Sequence, residues 1–126
     1  YVVHHGALAS FATVYLPDGA DAERIREQMA ALGGMEVVLG RDAACRRFEL
    51  PPDRVGDLVA VSERHVVLGT SEARHDLSGL DVPLRSHGGI SEQTVPLLLN
   101  RPTPRVAADR RLRNFDIFDL ALNHAT

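Results

Sequence analysis

The stretch from residue 10 to residue 39 constrains the fold most. Ser10-Phe11-Ala12-Thr13-Val14-Tyr15-Leu16 carries β-branched, aromatic or small residues on both alternating faces, which is strand-type sequence and suits a central strand more than an edge. Pro17-Asp18-Gly19 is a turn by chemistry: Pro presets φ, and Gly permits φ > 0. The apolar period then changes. Ala22, Ile25, Met29 and Leu32 fall on one helical face, so 21–33 reads as a helix. Asp21 is placed to cap it, and Glu23 sits where the helix dipole favours an anion. Gly33-Gly34 ends it, because Gly accepts the left-handed conformation after a helix. Residues 35–39 are strand-type again.

Farther along, 41–48 reads as a short helix with Ala44, Cys45 and Phe48 turned inward, and Pro51-Pro52 breaks the chain. Residues 57–61 and 65–68 read as two strands of a hairpin joined by Ser62-Glu63-Arg64. Tyr1-Val2-Val3 is also strand-like. The order strand, helix, strand, short helix, strand, strand predicts an α+β fold, a mixed sheet with helices on one face. The texture changes near residue 71. Residues 71–94 are polar and glycine-bearing, and 95–99 form a continuous apolar run expected of a strand buried on both faces. After a Pro- and Arg-rich connection, 114–124 reads as a helix. Asn114 can cap it, Asp116 lies in its first turn, and Leu112, Phe115, Phe118 and Leu122 share a face. Two parts are expected, 1–72 and 73–126.

Composition narrows the function classes. A chain of 126 residues is long enough to bury a real core without staples. With 44% hydrophobic and 25% charged residues it is not of disordered type. No apolar run approaches the ~20 residues of a membrane-spanning helix. A net charge of −3 is too balanced for a nucleic-acid or membrane-surface protein. The expected location is cytoplasmic. A single cysteine, Cys45, excludes an internal disulfide and a cysteine-based zinc cluster. Every basic residue is Arg, so no lysine is available as Schiff base or general base.

The sharpest chemical feature is Arg85-Ser86-His87-Gly88-Gly89. A His before two glycines sits where a backbone must turn tightly or approach a ligand, and imidazole is the commonest metal ligand. The alternative is a loop His ahead of a glycine turn. His4-His5 is weaker, because adjacent strand residues point to opposite faces. The segment 105–113 carries a net charge of +3 and could hold an anion, or simply be a solvated lead into the last helix. Arg46-Arg47 reads as helix surface, Cys45 as a small buried thiol, and Glu92 as a local cap or pairing partner. No nucleophile stands with a base in a recognised spacing, so the catalytic set is empty. One His cannot hold a catalytic zinc, which needs three protein ligands as a rule.

The stretch Leu84-Arg85-Ser86-His87-Gly88-Gly89-Ile90-Ser91-Glu92-Gln93-Thr94-Val95-Pro96-Leu97-Leu98-Leu99-Asn100-Arg101-Pro102 resembles the C-terminal metal-site segment of the alkaline phosphatase superfamily, and within it the phosphonoacetate hydrolase family. Leu112 to Asn123 is similar to that family's final helix, and Tyr1 to Leu8 to the start of its cap region. The resemblance implies a hydrolase with two zinc ions. In that family a Thr attacks phosphorus, Asp and His side chains hold the metals, and the C–P bond of phosphonoacetate is cleaved to acetate and phosphate. Two metals can bridge attacking and phosphoryl oxygens, and the substrate's carboxylate needs a cationic clamp. Carried over by position, only His87 matches a metal ligand; the nucleophile and the other ligands lie outside these residues. The resemblance makes 1–72 mostly cap and 73–126 the last piece of the catalytic core. It implies a small phosphonate as partner and no activity from these residues alone. Left uncovered, 95–99 with Phe115, Phe118 and Leu122 would form an apolar patch, and a homodimer is one way to cover it. The competing expectations are a phosphodiesterase or nucleotide pyrophosphatase of the same superfamily, and a non-catalytic α+β interaction domain.

Overall fold

The computed structural model describes residues 9–71, 75, 78–82, 84 and 87–124. The chain forms two compact units, one up to Thr94 and one from Val95 onward. In the first, strand β1 (Phe11–Val14) leads to helix α1 (Ala22–Ala30), strand β2 (Met35–Gly40), helix α2 (Arg41–Phe48) and strand β3 (Leu58–Ser62). The fold is α+β, as expected. Tyr1-Val2-Val3, His4 and His5 lie outside the described residues.

Local chemistry accounts for the helices. The Asp21 carboxylate accepts the Arg24 N–H at 3.0 Å and caps α1. α1 ends at Ala30 with Ala31 as a right-handed cap, short of the glycine pair expected to stop it. Gly34 takes φ +85° in the turn that leads into β2, and its carbonyl accepts the Glu63 N–H at 2.8 Å. On α1, Ile25 and Met29 are half-buried while Ala22 is exposed; Leu32, beyond the helix end, is exposed too. Helix α2 turns Ala44, Cys45 and Phe48 inward as its spacing predicts.

The strand order is β1-β3-β2, with every pairing antiparallel. β1 and β2 run in the same direction, but β3 lies between them, so the sheet is antiparallel and not mixed. β1 is an edge of this sheet, not its centre. The centre is β3, whose five residues are all buried. The register aligns Phe11, Val61 and Val37, then Thr13, Val59 and Leu39, on one face; Ala12, Ala60 and Val38 lie on the other. On the first face Val59 and Val61 pack with Ala44 and Val55, joined by Phe11, Phe48, Leu50 and Ile90. Leu58 and Ala60 on the second face are also buried. Cover therefore reaches both faces at the sheet's centre, beyond the one-sided cover expected. Each fully buried Val or Leu contributes about 1.5–3 kcal/mol.

Residues 65–68 do not form the second arm of a hairpin. The Val66 N–H closes a turn on the Glu63 carbonyl at 3.0 Å, and the Val66 carbonyl accepts the buried Ser62 hydroxyl at 2.6 Å and that of Ser10 at 3.3 Å. A buried hydroxyl must find an acceptor, and here it takes a backbone carbonyl. Only Leu68 pairs in strand fashion, with Ala9.

In the second unit the run 95–99 is exposed, with Leu98 at 87%, and belongs to no strand. The expectation of a strand buried on both faces is overturned: strand pairing needs a neighbour, and apolar sequence does not supply one. The last helix is α3 (Asp116–Asp119), continued by a π-helical turn, Leu120–His124. Its buried positions are Asp116 and Leu120, one turn apart, while Phe115, Phe118 and Leu122 are exposed. The inward face is thus not the apolar one read from sequence. Asp116 is drawn inward by its bonds to Arg110 and to the Arg113 backbone. Asn114 does not cap the helix; the Asp116 carboxylate takes the Arg113 N–H at 2.7 Å instead. No helix among the described residues is long and apolar enough to cross a membrane.

Candidate functional site

The His87 loop is built onto the start of β1. The Ser10 N–H donates to the His87 carbonyl at 2.8 Å. Gly88 has φ +87°, and a Cβ there would stand 2.9 Å from the Phe11 Cβ. The two glycines therefore serve a close backbone approach, and what they approach is a strand of the same unit. A 3₁₀ turn follows at Ile90–Glu92, with Ile90 packed on the sheet's core. Glu92 reaches back so that its carboxylate accepts the Gly89 N–H at 3.3 Å. Glu92 is thus a local cap, one of the two roles its position allowed. His87 itself is exposed.

The other candidates are engaged locally or lie outside the described residues. Arg110, in the Arg-rich connection, donates to Asp116 Oδ1 at 3.0 Å and to Asp119 Oδ2 at 2.9 Å. Arg113 lies over the Phe115 ring at 4.5 Å. These arginines hold the last helix, which favours the solvated-connection reading of 105–113 over an anion site. The Arg113 backbone N–H, and after it the Arg110 guanidinium, hold the Asp116 carboxyl below its ordinary range. Asn123, and after it Arg110, do the same for Asp119. Arg46 and Arg47 are exposed on α2, and Arg47 lies 5.4 Å from the Phe48 ring centroid. Cys45 is a half-buried free thiol against the core. Sequence reasoning passed over His75, which is 9% exposed with its ring Nε2 3.3 Å from Thr70 Oγ1. Nothing in the polar stretch around it marks it for burial.

Matches to known proteins bear on the same loop. No family model matches the chain. Phosphonoacetate hydrolase from Sinorhizobium meliloti 1021, solved in complex with phosphonoformate, matches over 100% of this chain with 60% sequence identity and a TM-score of 0.77. This chain is homologous to part of phosphonoacetate hydrolase. The same enzyme solved with phosphonoacetate matches equally well. The chain spans 30% of the length of those solved chains. A curated phosphonoacetate hydrolase from Penicillium oxalicum is 56% identical over 46 residues, which are 34% of this chain and 64% of that relative.

The zinc that the superfamily resemblance implies can be tested against the donors present. His87 offers one exposed imidazole, a fit for one corner of a tetrahedral site. Among the described residues no group of three or more His, Cys, Asp or Glu side chains is placed to share a metal. By themselves the described residues do not close a metal site.

Proposed function

We propose that this chain is the part of a phosphonoacetate hydrolase that carries one of its metal-binding loops, and that the whole enzyme hydrolyses phosphonoacetate to acetate and phosphate. The observation that carries this reading is the 60% identity with the Sinorhizobium meliloti enzyme, extending over the whole of this chain. In this reading the enzyme belongs to the alkaline phosphatase superfamily, residues 1–72 are cap, and 73–126 end the catalytic core.

His87 is the residue assigned to the metal. Its imidazole would give one nitrogen lone pair to zinc, and the other donors and the Thr nucleophile would come from elsewhere in the enzyme. A pair of zinc ions, when bound, supplies Lewis acidity toward the phosphonate oxygens and the nucleophile. What this chain contributes is direction: the Ser10 bond and the glycine approach fix the backbone from which the imidazole projects. A cationic clamp for the substrate carboxylate completes binding, and Arg suits it because its planar fork matches a carboxylate. The reading carries with it a cytoplasmic enzyme. It also makes a homodimer one way of covering the exposed apolar residues Leu98, Phe118 and Leu122.

The test is made in the full-length enzyme. Phosphate release from phosphonoacetate should be lost on chelation and return with zinc. His87→Ala should lower both bound zinc and turnover; unchanged zinc content and turnover would sink the assignment. The 126-residue chain alone should release no phosphate above a metal-only blank, since one imidazole does not make a catalytic site.

A further inference from the structure

The His87 loop takes its conformation from the sheet. Ser10 is 3% exposed, and its carbonyl accepts the Ser62 N–H at 2.9 Å, which ties it to the central strand. Its own N–H goes to the His87 carbonyl at 2.8 Å. One residue on, Gly88 combines φ +87° with a separation from the Phe11 Cβ that leaves no room for a side chain. Gly89 also lies against the strand, where an added Cβ would be 3.4 Å from the Ser10 Cβ. His87 is therefore held at its carbonyl by the strand, and the residue after it is restricted to glycine by the strand. An exposed imidazole has several rotamers, but the backbone that carries it is tied to the strand at the His87 carbonyl.

We propose that Ser10, through its backbone N–H, and Gly88, through its lack of a Cβ, are positioning residues for His87, and that the three-stranded sheet thereby sets the affinity of the metal His87 binds. This rests on the reading of His87 as a zinc ligand. Groups that orient a metal ligand contribute to metal affinity, and their loss costs roughly 10–100-fold. Ser10 and Gly88 act on the backbone of the ligand and touch neither metal nor substrate.

The experiment measures zinc affinity by chelator competition, with kcat and KM over a zinc series, in the full-length enzyme and in Gly88→Ala, Ser10→Pro and His87→Ala. Ser10→Pro deletes the N–H and keeps the carbonyl that Ser62 uses. It tests the contact from the strand side should Gly88→Ala fail to fold. The expected result is zinc bound roughly 10–100-fold more weakly in Gly88→Ala and Ser10→Pro. Their kcat falls at limiting zinc with KM held, and turnover returns at saturating zinc. His87→Ala is expected not to be restored by added zinc. If the two positioning variants hold zinc as tightly as the parent while His87→Ala has lost it, the positioning role falls and the reading of His87 stands. If His87→Ala keeps its zinc, both fall.

Discussion

The backbone N–H of Gly56 donates to Thr13 Oγ1 at 2.6 Å. At the same point a Cβ on Gly56 would stand 2.4 Å from the Val14 carbonyl oxygen. The approach to β3 and the edge strand β1 thus meet backbone to backbone. Gly56→Ala has nowhere to place its methyl without moving β1 and is expected to cost about 3 kcal/mol or more. Gly56 is buried, so Thr13→Val leaves its N–H without that acceptor and should cost about 1–3 kcal/mol. Urea unfolding midpoints would separate the two; a Gly56→Ala midpoint equal to the parent's would contradict the close approach.

Asp57 joins three elements. Its Oδ2 accepts the Leu16 N–H at 2.8 Å, and its Oδ1 pairs with the Arg41 guanidinium at 2.8 Å. Arg41 also donates Nε to the Gly56 carbonyl at 3.1 Å. The ion pair is partly exposed and by itself contributes about 0–1 kcal/mol. The bond from a backbone N–H to a carboxylate is worth more, about 1.5–3 kcal/mol. Asp57→Ala should therefore destabilise more than Arg41→Ala. The reverse order in thermal or urea unfolding would show that the Arg41 contacts dominate.

Acid should loosen the last helix. Asp116 and Asp119 have folded-state values below the ordinary 3.8 of an aspartate, the first chiefly through the Arg113 N–H and the second chiefly through Asn123. A depressed carboxyl contributes stability that is fully present above its unfolded value and is lost as pH falls through the lower folded value. The effect is therefore absent at neutral pH and sets in below about pH 4. Carboxyl chemical shifts followed through an acid titration should place both groups below a free aspartate. Arg110→Ala should move both upward, and Asp119 titrating as a free aspartate would count against its bonds to Arg110 and Asn123.

Leu120 and Leu122 make a paired test of the last turn. Leu120 is 1% exposed and Leu122 is 82% exposed. Leu120→Ala empties a filled site and should cost about 2–5 kcal/mol of local stability. Leu122→Ala in the chain alone should stay within about 0.5 kcal/mol. Amide exchange across 116–124 reads both, and equal losses would mean that the buried face has been misassigned.

Most of the local structure was legible because the residues that decide it are neighbours. Asp21 caps α1, and the spacing of Ala44, Cys45 and Phe48 gives the inward face of α2, whereas α1 ends at Ala30, ahead of the Gly33-Gly34 pair. Residues 65–68 looked like a strand because their side chains are β-type. Two serine hydroxyls, Ser10 and Ser62, instead claim the Val66 carbonyl. The run 95–99 has the composition of a buried strand and is exposed, because burial depends on what lies alongside. In the last helix, Arg110 pulling on Asp116 and Asp119 outweighs the apolar period of Phe115, Phe118 and Leu122.

The candidate site divides in the same way. By itself the sequence determined that His87 precedes a glycine pair able to take a positive φ, that no lysine and only one cysteine are available for chemistry, and that helices would pack on a sheet. Only the tertiary structure decided that β3 lies between β1 and β2, that the register steps by one residue between Met35 and Val37, and that the surface Gly88 approaches is Phe11. The physical reason is range. Turns, caps and helix faces depend on residues within a turn or two of each other. Strand order and the seat of the His87 loop depend on pairings between segments far apart in the chain, which local propensity does not encode.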